Sequence, residues 1–223
     1  MGHEHADLKL CILTHRHGDH TGGLKKLKKT IKFEVMAHEF DMPAIHQATG
    51  YDVEHVIKGG ETLPDCGGIH VIHTPGHTAG HISLHLPRVK TMIAGDAIVS
   101  AGEHLMVSPT YLSSDPEAAH ESVKRLIAMN LDLERLLVGH GDDVYFGAKD
   151  NMARIFAGPR PQLGKSTDEN QSDKRRSRRH LGFIFASAAG VWRRSTQENS
   201  HRIQSSRRVA RTIYDRATIR LLS

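Results

Sequence analysis

The sequence predicts a layered α/β fold over residues 1–158, followed by a basic segment with no fold of its own over residues 159–223. Three observations lead there. Short apolar runs alternate with amphipathic stretches, as strands alternate with helices in such folds. Clusters of histidine and aspartate begin where four of those runs end. Finally, charge divides the chain: residues 1–158 carry 15 Lys+Arg against 20 Asp+Glu, whereas residues 159–223 carry 15 against 5. The whole-chain net charge of +5 therefore describes neither part, and it gives no warrant for nucleic-acid binding by the chain as a whole.

Each element has its own justification. Leu8 to Leu13 is an apolar run that stops at polar residues, as a buried strand would. Thr21 to Lys32 spaces Leu24, Leu27 and Ile31 by three and four, which predicts a helix with a basic outer face. Lys32–Ala37 is a second strand. Ile69–His73 and His81–Leu86 alternate apolar with polar, the period of half-buried strands. Lys90–Ala94 is a strand closed by Gly95-Asp96. Asp115-Pro116-Glu117 opens a helix whose apolar face is Val123, Leu126, Ile127 and Leu131. Leu136–Val138 is the last strand and runs into Gly139-His140-Gly141. Two stretches, His38–Asp65 and Ala97–Ser114, read as loops that would set specificity. The segment after Gly158 contains KSTDENQSDKRRSRRH and shows no sustained period; low hydrophobicity with a block of like charge predicts disorder.

Several classes are disfavoured. No apolar run approaches the length of a membrane-spanning helix. MGHEHADLK carries no signal-peptide core, and two cysteines, Cys11 and Cys66, make no disulfide framework, so a cytoplasmic protein is expected.

The chemistry lies in the histidines, 18 in all and 16 of them before residue 159. Thr14-His15-Arg16-His17-Gly18-Asp19-His20 puts four metal-capable side chains within six residues, of the types that zinc, iron and manganese accept. His15 and His17, two apart after a strand, suit one ion; Asp19 and His20, on the turn into a helix, suit a second. Two ions with open positions need roughly seven protein donors. The remaining three are His77 in HTPGHTAGH, Asp96 after Gly95, which can bridge two cations, and His140 between two glycines. The expected sets are His15, His17 and His77 for one ion and Asp19, His20 and His140 for the other, with Asp96 between them. His73 and His81 flank His77 and are candidates for fixing its ring. His104 and His120 are candidates for lining a pocket. His3, His5, His38, His46, His55, His70 and His85 show no ligand spacing and are expected at the surface or on strand faces. Cys66 falls in a hairpin-like turn, Pro64–Gly68, without a chemical role.

THRHGDHTGG, HTPGHTAGH, Gly95-Asp96 and Gly139-His140-Gly141 together resemble the metallo-β-lactamase superfamily from about Leu8 to Val144, nearest in wording to its glyoxalase II and lactonase-like branches. The resemblance implies a four-layered αββα sandwich with a dinuclear site. It also implies an N-terminal side that is incomplete, because the family places several strands and a helix before its first motif and only 14 residues precede His15 here. A sheet edge would then lie open to other chains. Two departures stand out. The lactonase-like branch carries a tyrosine soon after the bridging aspartate, whereas Asp96 is followed by Ala97-Ile98-Val99-Ser100 and the next tyrosine is Tyr111. The C-terminal basic helices of the glyoxalase II branch have no counterpart, which makes residues 159–223 an unrelated extension.

The function expected is metal-dependent hydrolysis of an ester, thioester or lactone of a small molecule. A water shared by two divalent cations, most simply zinc but also iron or manganese, loses a proton near neutral pH, and Asp19 orients it. Two alternatives compete: a superfamily nuclease, in which the basic tail attracts phosphates, and a truncated metal-binding protein without turnover. Salt-sensitive RNA binding that disappears with the tail would favour the former. No membrane partner is expected, and nucleic acid only through the tail; the sequence does not reveal the oligomeric state.

Overall fold

The computed structural model describes residues 8–102 and 104–157. The basic tail, His3 and His5 lie outside the described residues. Strands β1 (Leu10–Ile12), β2 (Glu34–His38) and β3 (His55–Ile57) form a parallel sheet in the order β1-β2-β3. Between them run short helices α1 (Gly18–Thr21), α2 (Leu24–Lys28) and α3 (Met42–Thr49), the crossovers that parallel neighbours require. A second sheet contains β4 (Thr62–Leu63), β5 (Ile69–His73), β6 (Ile82–Leu86), β7 (Thr91–Gly95) and β10 (Arg135–Val138), in the order β10-β7-β6-β5-β4. Strands β8 (Ile98–Ala101) and β9 (His104–Val107) make a separate hairpin; helices α4 (Pro116–Ala128) and α5 (Ala148–Ala153) complete the chain.

Strand alternation sorts the core into three clusters, and the clusters define the layers. Cys11, Val35 and Ala37 point from the first sheet toward Leu24 and Ile45 on the helices. Ile12, Met36 and Ile57 point the other way and meet Ile69, Val71, Ile82, Leu84 and Ile93 of the second sheet. Met92 and Ala94, on the opposite face of β7, pack with Leu136 against Val123 and Leu126 of α4 and Met152 of α5. The order is thus helices, sheet, sheet, helices. A strand of period two feeds one residue to each side, so every central strand seals two interfaces at once. Helix α4 starts as expected: the Asp115 carboxylate accepts the Ala118 N–H at 3.0 Å, with Pro116 in the first turn.

Four expectations need correction. The helix anticipated over Thr21–Lys32 shrinks to α2, Leu24–Lys28, and Gly22-Gly23 separates it from α1, which precedes it and shares only Thr21 with the anticipated stretch. Strand β6 is buried along nearly its whole length rather than on one face, because it is the middle strand of the second sheet and is covered on both sides. The two stretches read as loops contain α3, β3 and β4 in one case and the β8–β9 hairpin in the other. His38 and His85, expected at the surface, are buried, at 2% and 5% exposure. Cys66 does occupy the turn between β4 and β5, with φ of +55°.

Candidate metal centre

Strands β5, β7 and β10 run in the same direction, so their C-terminal ends share one edge of the second sheet. The end of β1 joins that edge, since the Ile82 N–H donates to the Thr14 carbonyl at 2.9 Å. His15 leaves the end of β1, His77 lies in the β5–β6 loop, Asp96 follows β7 and His140 follows β10. Helix α1 supplies Asp19 and His20, and His17 immediately precedes it. All seven side chains converge. Ligand-capable atoms of His15, His17, His77 and Asp96 lie within 4.8 Å of one another, and so do those of Asp19, His20, Asp96 and His140.

Asp96 is the hub. One of its oxygens, Oδ2, lies 3.2 Å from His77 Nε2, 3.3 Å from His140 Nε2 and 3.7 Å from His15 Nε2. The other, Oδ1, lies 3.2 Å from His20 Nε2. Burial alone would raise this carboxyl, but the imidazoles of His20, His77 and His15 overcome that and hold it well below the usual carboxylate range. At His15 burial, reinforced by neighbouring imidazoles, lowers the pKa and keeps the ring neutral, the state in which imidazole donates a lone pair. His17 is lowered too, by burial and then by His77, whose Nε2 is 2.8 Å from its Nδ1. His20 goes the other way: burial is outweighed by Asp96 and Asp19.

Supporting contacts fix these groups from behind. His77 Nδ1 pairs with Ser108 Oγ at 2.9 Å, and Thr14 Oγ1 lies 3.1 Å from His15 Nδ1. The Asp96 N–H donates to His81 Nε2 at 2.9 Å, which places the His81 proton on Nδ1, 2.7 Å from Thr74 Oγ1. Complete burial pushes the His81 pKa down to about 3 and makes it a neutral acceptor. Gly139 explains how Asp96 fits: a Cβ there would stand 1.8 Å from Asp96 Oδ1, so no larger residue leaves the carboxylate where it is. Asp41, at the start of α3, is fully buried and accepts hydrogen bonds from both the His15–His17 segment and the loop around His77.

Sequence reasoning singled out all seven converging residues but misplaced some neighbours. Neither His73 nor His81 hydrogen-bonds the ring of His77; Ser108 does. His81 holds the Asp96 backbone instead, while His73 stacks on His38 at 4.1 Å and pairs with the Ala79 carbonyl. His104 is exposed on β9, and His120 bonds the Pro116 carbonyl; neither belongs to the two groups. Ser108, Asp41 and Gly139 were missed, although a glycine next to His140 was visible.

The donor set fits bound metal. His15 Nε2, His20 Nε2 and Asp96 Oδ1 are buried and have no hydrogen-bond partner, although they crowd one another. Each such orphan costs about 1–3 kcal/mol. A cation is the natural partner for several lone pairs facing one point.

Residues 5–140 match the family model of the metallo-beta-lactamase superfamily. The chain belongs to that superfamily. Among its curated relatives is the "Probable metallo-hydrolase YflN" of Bacillus subtilis, 30% identical over 172 residues, covering 60% of this chain and 64% of the relative. The hydroxyacylglutathione hydrolase of Rhizobium meliloti is 24% identical over 188 residues (82% and 65%), and that of Brucella ovis 30% over 134 (60% and 48%). The chain thus spans about half to two thirds of the length of these relatives. Solved structures agree on the fold. A metallo-beta-lactamase from Pontibacter korlensis superimposes with a TM-score of 0.56 at 18% identity, covering 67% of both chains. The archaeal superfamily protein ST1585 of Sulfolobus tokodaii gives 0.53 at 18%, covering 73% of this chain and 72% of its own. No helix among the described residues is long and apolar enough to cross a membrane.

Proposed function

We propose that the chain is a dinuclear metal-dependent hydrolase of small-molecule esters, thioesters or lactones. His15, His17 and His77 would hold one divalent ion, zinc, iron or manganese; Asp19, His20 and His140 would hold the other, and Asp96 would bridge them. The observation that carries this reading is the pair of four-residue groups joined through one buried carboxylate. When bound, two such ions supply Lewis acidity toward a carbonyl oxygen and lower the pKa of water toward neutrality.

The protein's own share follows from its geometry. Asp19 is the catalytic residue: its side chain is 40% exposed and its Oδ2 lies 3.0 Å from His140 Nε2, at the open side of the cluster. That carboxylate would orient the attacking water, take its proton as the bond to the carbonyl carbon forms, and return it to the departing alcohol or thiol as the acyl C–O or C–S bond breaks. Asp96, buried and strongly acidic, stays ionised throughout and keeps the two histidine groups in fixed relation. The relatives named hydroxyacylglutathione hydrolase support acylated thiols as the first candidate substrates to assay.

The test is elemental analysis of the purified full chain, followed by assay of thioester, lactone, ester and phosphodiester substrates. About two equivalents of transition metal and carboxylic-acid release from one of the first three are expected. Turnover that survives complete removal of metal refutes the reading, and turnover confined to phosphodiesters moves the protein to the nucleases.

A further inference from the structure

Asp41 is tied to the metal centre without belonging to it. It has no exposed surface, and it accepts four hydrogen bonds from two segments distant in sequence. From the first segment come the Arg16 backbone N–H at 3.0 Å to Oδ2 and Arg16 Nη1 at 3.2 Å to Oδ1. From the second come Thr78 Oγ1 at 2.6 Å to Oδ2 and the Gly80 N–H at 3.1 Å to Oδ1. Arg16 stands between His15 and His17. Thr78 follows His77, and Gly80 precedes His81, whose ring receives the Asp96 N–H. One carboxylate therefore joins the backbone that carries two of the histidines to the backbone that carries the third.

Two further features show that the residue is committed to this task. Asp41 occupies the N-cap position of α3, where an aspartate ordinarily accepts a backbone N–H of the first turn, yet its side chain makes no such bond. The chain also comes close to it: a Cβ on Gly80 would lie within 3 Å of the Asp41 backbone N, Cβ and Cγ. By contrast, none of these four bonds comes from Asp19, His20 or His140.

We infer that Asp41 is a positioning residue that sets the geometry of the His15–His17–His77 group, and so the affinity for one of two ions. The inference rests on the dinuclear reading above. Its chemistry makes a sharp variant available. All four partners are donors, and each carboxylate oxygen takes two of them. An asparagine of the same size sets its NH2 against at least one obligatory N–H donor whichever way its amide is flipped: the Arg16 N–H on one side, or Arg16 Nη1 and the Gly80 N–H on the other. Asp41→Asn thus breaks the clamp with little change of volume.

The experiment loads full-length wild-type and Asp41→Asn protein with cobalt(II), counts the bound equivalents and records the visible spectrum of the bound ion. In the variant one equivalent should bind roughly 10–100-fold more weakly, with loss of the spectral component of the histidine-rich group, while the other equivalent keeps its affinity. Thr78→Val removes one donor without touching a proposed ligand and should move the same equivalent by less. Leu126→Ala, on the buried face of α4, should lower the melting temperature yet retain both equivalents, which separates positioning from general destabilisation. An Asp41→Asn protein with both affinities and the spectrum unchanged overturns the inference and leaves the dinuclear reading standing. If Asp41→Asn does not fold, an unchanged Thr78→Val spectrum and affinity overturn it instead. A wild-type chain that takes up no ion defeats both.

Discussion

The two halves of the metal centre are built differently. His15 and His77 are buried, at 1% and 2% exposure; Thr14 and Ser108 pair with their rings, and Asp41 accepts from Thr78 beside His77. Across Asp96 the other half is more open: the side chains of Asp19 and His140 are 40% and 38% exposed, although His20 is buried, and in the first half only His17 is partly exposed. The His140 carbonyl accepts the Ser100 N–H of the β8–β9 hairpin at 2.9 Å. A preorganised, dry set of donors binds tightly because little ordering remains to be done, and an open set leaves room for exchange and substrate. Under the dinuclear proposal, the comparison predicts that the first half holds the tighter ion and the second gives access.

The largest test of that difference removes one ligand from each half. His15→Ala should strip the tighter equivalent and, with it, roughly 10³-fold or more of turnover, since an ion's share of transition-state stabilisation is several kcal/mol. His140→Ala should leave the tighter equivalent in place. Sub-stoichiometric chelator should likewise remove one equivalent from the wild type before the other, as followed by elemental analysis. Simultaneous loss of both would erase the distinction between the halves.

A smaller effect is expected at the seam. In Gly139→Ala the new Cβ cannot coexist with Asp96 Oδ1 at 1.8 Å, so the carboxylate must shift away from His20. About 10–100-fold weaker binding of the more exposed ion, by calorimetric titration, is the predicted outcome. Wild-type affinity in that variant would show that Asp96 does not need its present position.

Much of this centre was legible because its chemistry is local. THRHGDH brings four side chains together along one stretch of chain, and the other three converging residues each follow an apolar strand, so sheet geometry alone brings them to one edge. The supporting residues carried no such mark. Asp41 lies 25 residues from Arg16 and 37 from Thr78, and nothing in Phe40-Asp41-Met42 distinguishes a metal-loop clamp from an ordinary helix cap. Ser108 is 31 residues from His77. The short elements α3 and β3 were hidden for a different reason: eight and three residues are too few for a period to emerge, and their place is fixed by packing of Ile45 and Ile57 into two separate cores.

The smallest predicted effect lies on the first sheet, away from the ions. Burial would raise the Glu54 carboxyl, but Lys28 Nζ and the Val35 N–H, each at 2.6 Å, hold it below the ordinary glutamate range. A depressed carboxyl adds stability above its unfolded pKa and loses it as pH falls through the folded value. The difference in melting temperature between wild type and Glu54→Gln should therefore be small, full near neutrality and vanishing in acid, with metal content unaffected. A difference that widens on acidification would reverse the sign.

The central claim is that seven side chains hold two ions on either side of Asp96. Anomalous diffraction from crystals of the zinc-loaded protein tests it most directly. Two peaks are predicted, one contacting His15, His17 and His77, the other Asp19, His20 and His140, with Asp96 touching both. A single peak, or peaks that leave Asp96 without a metal contact, would contradict it.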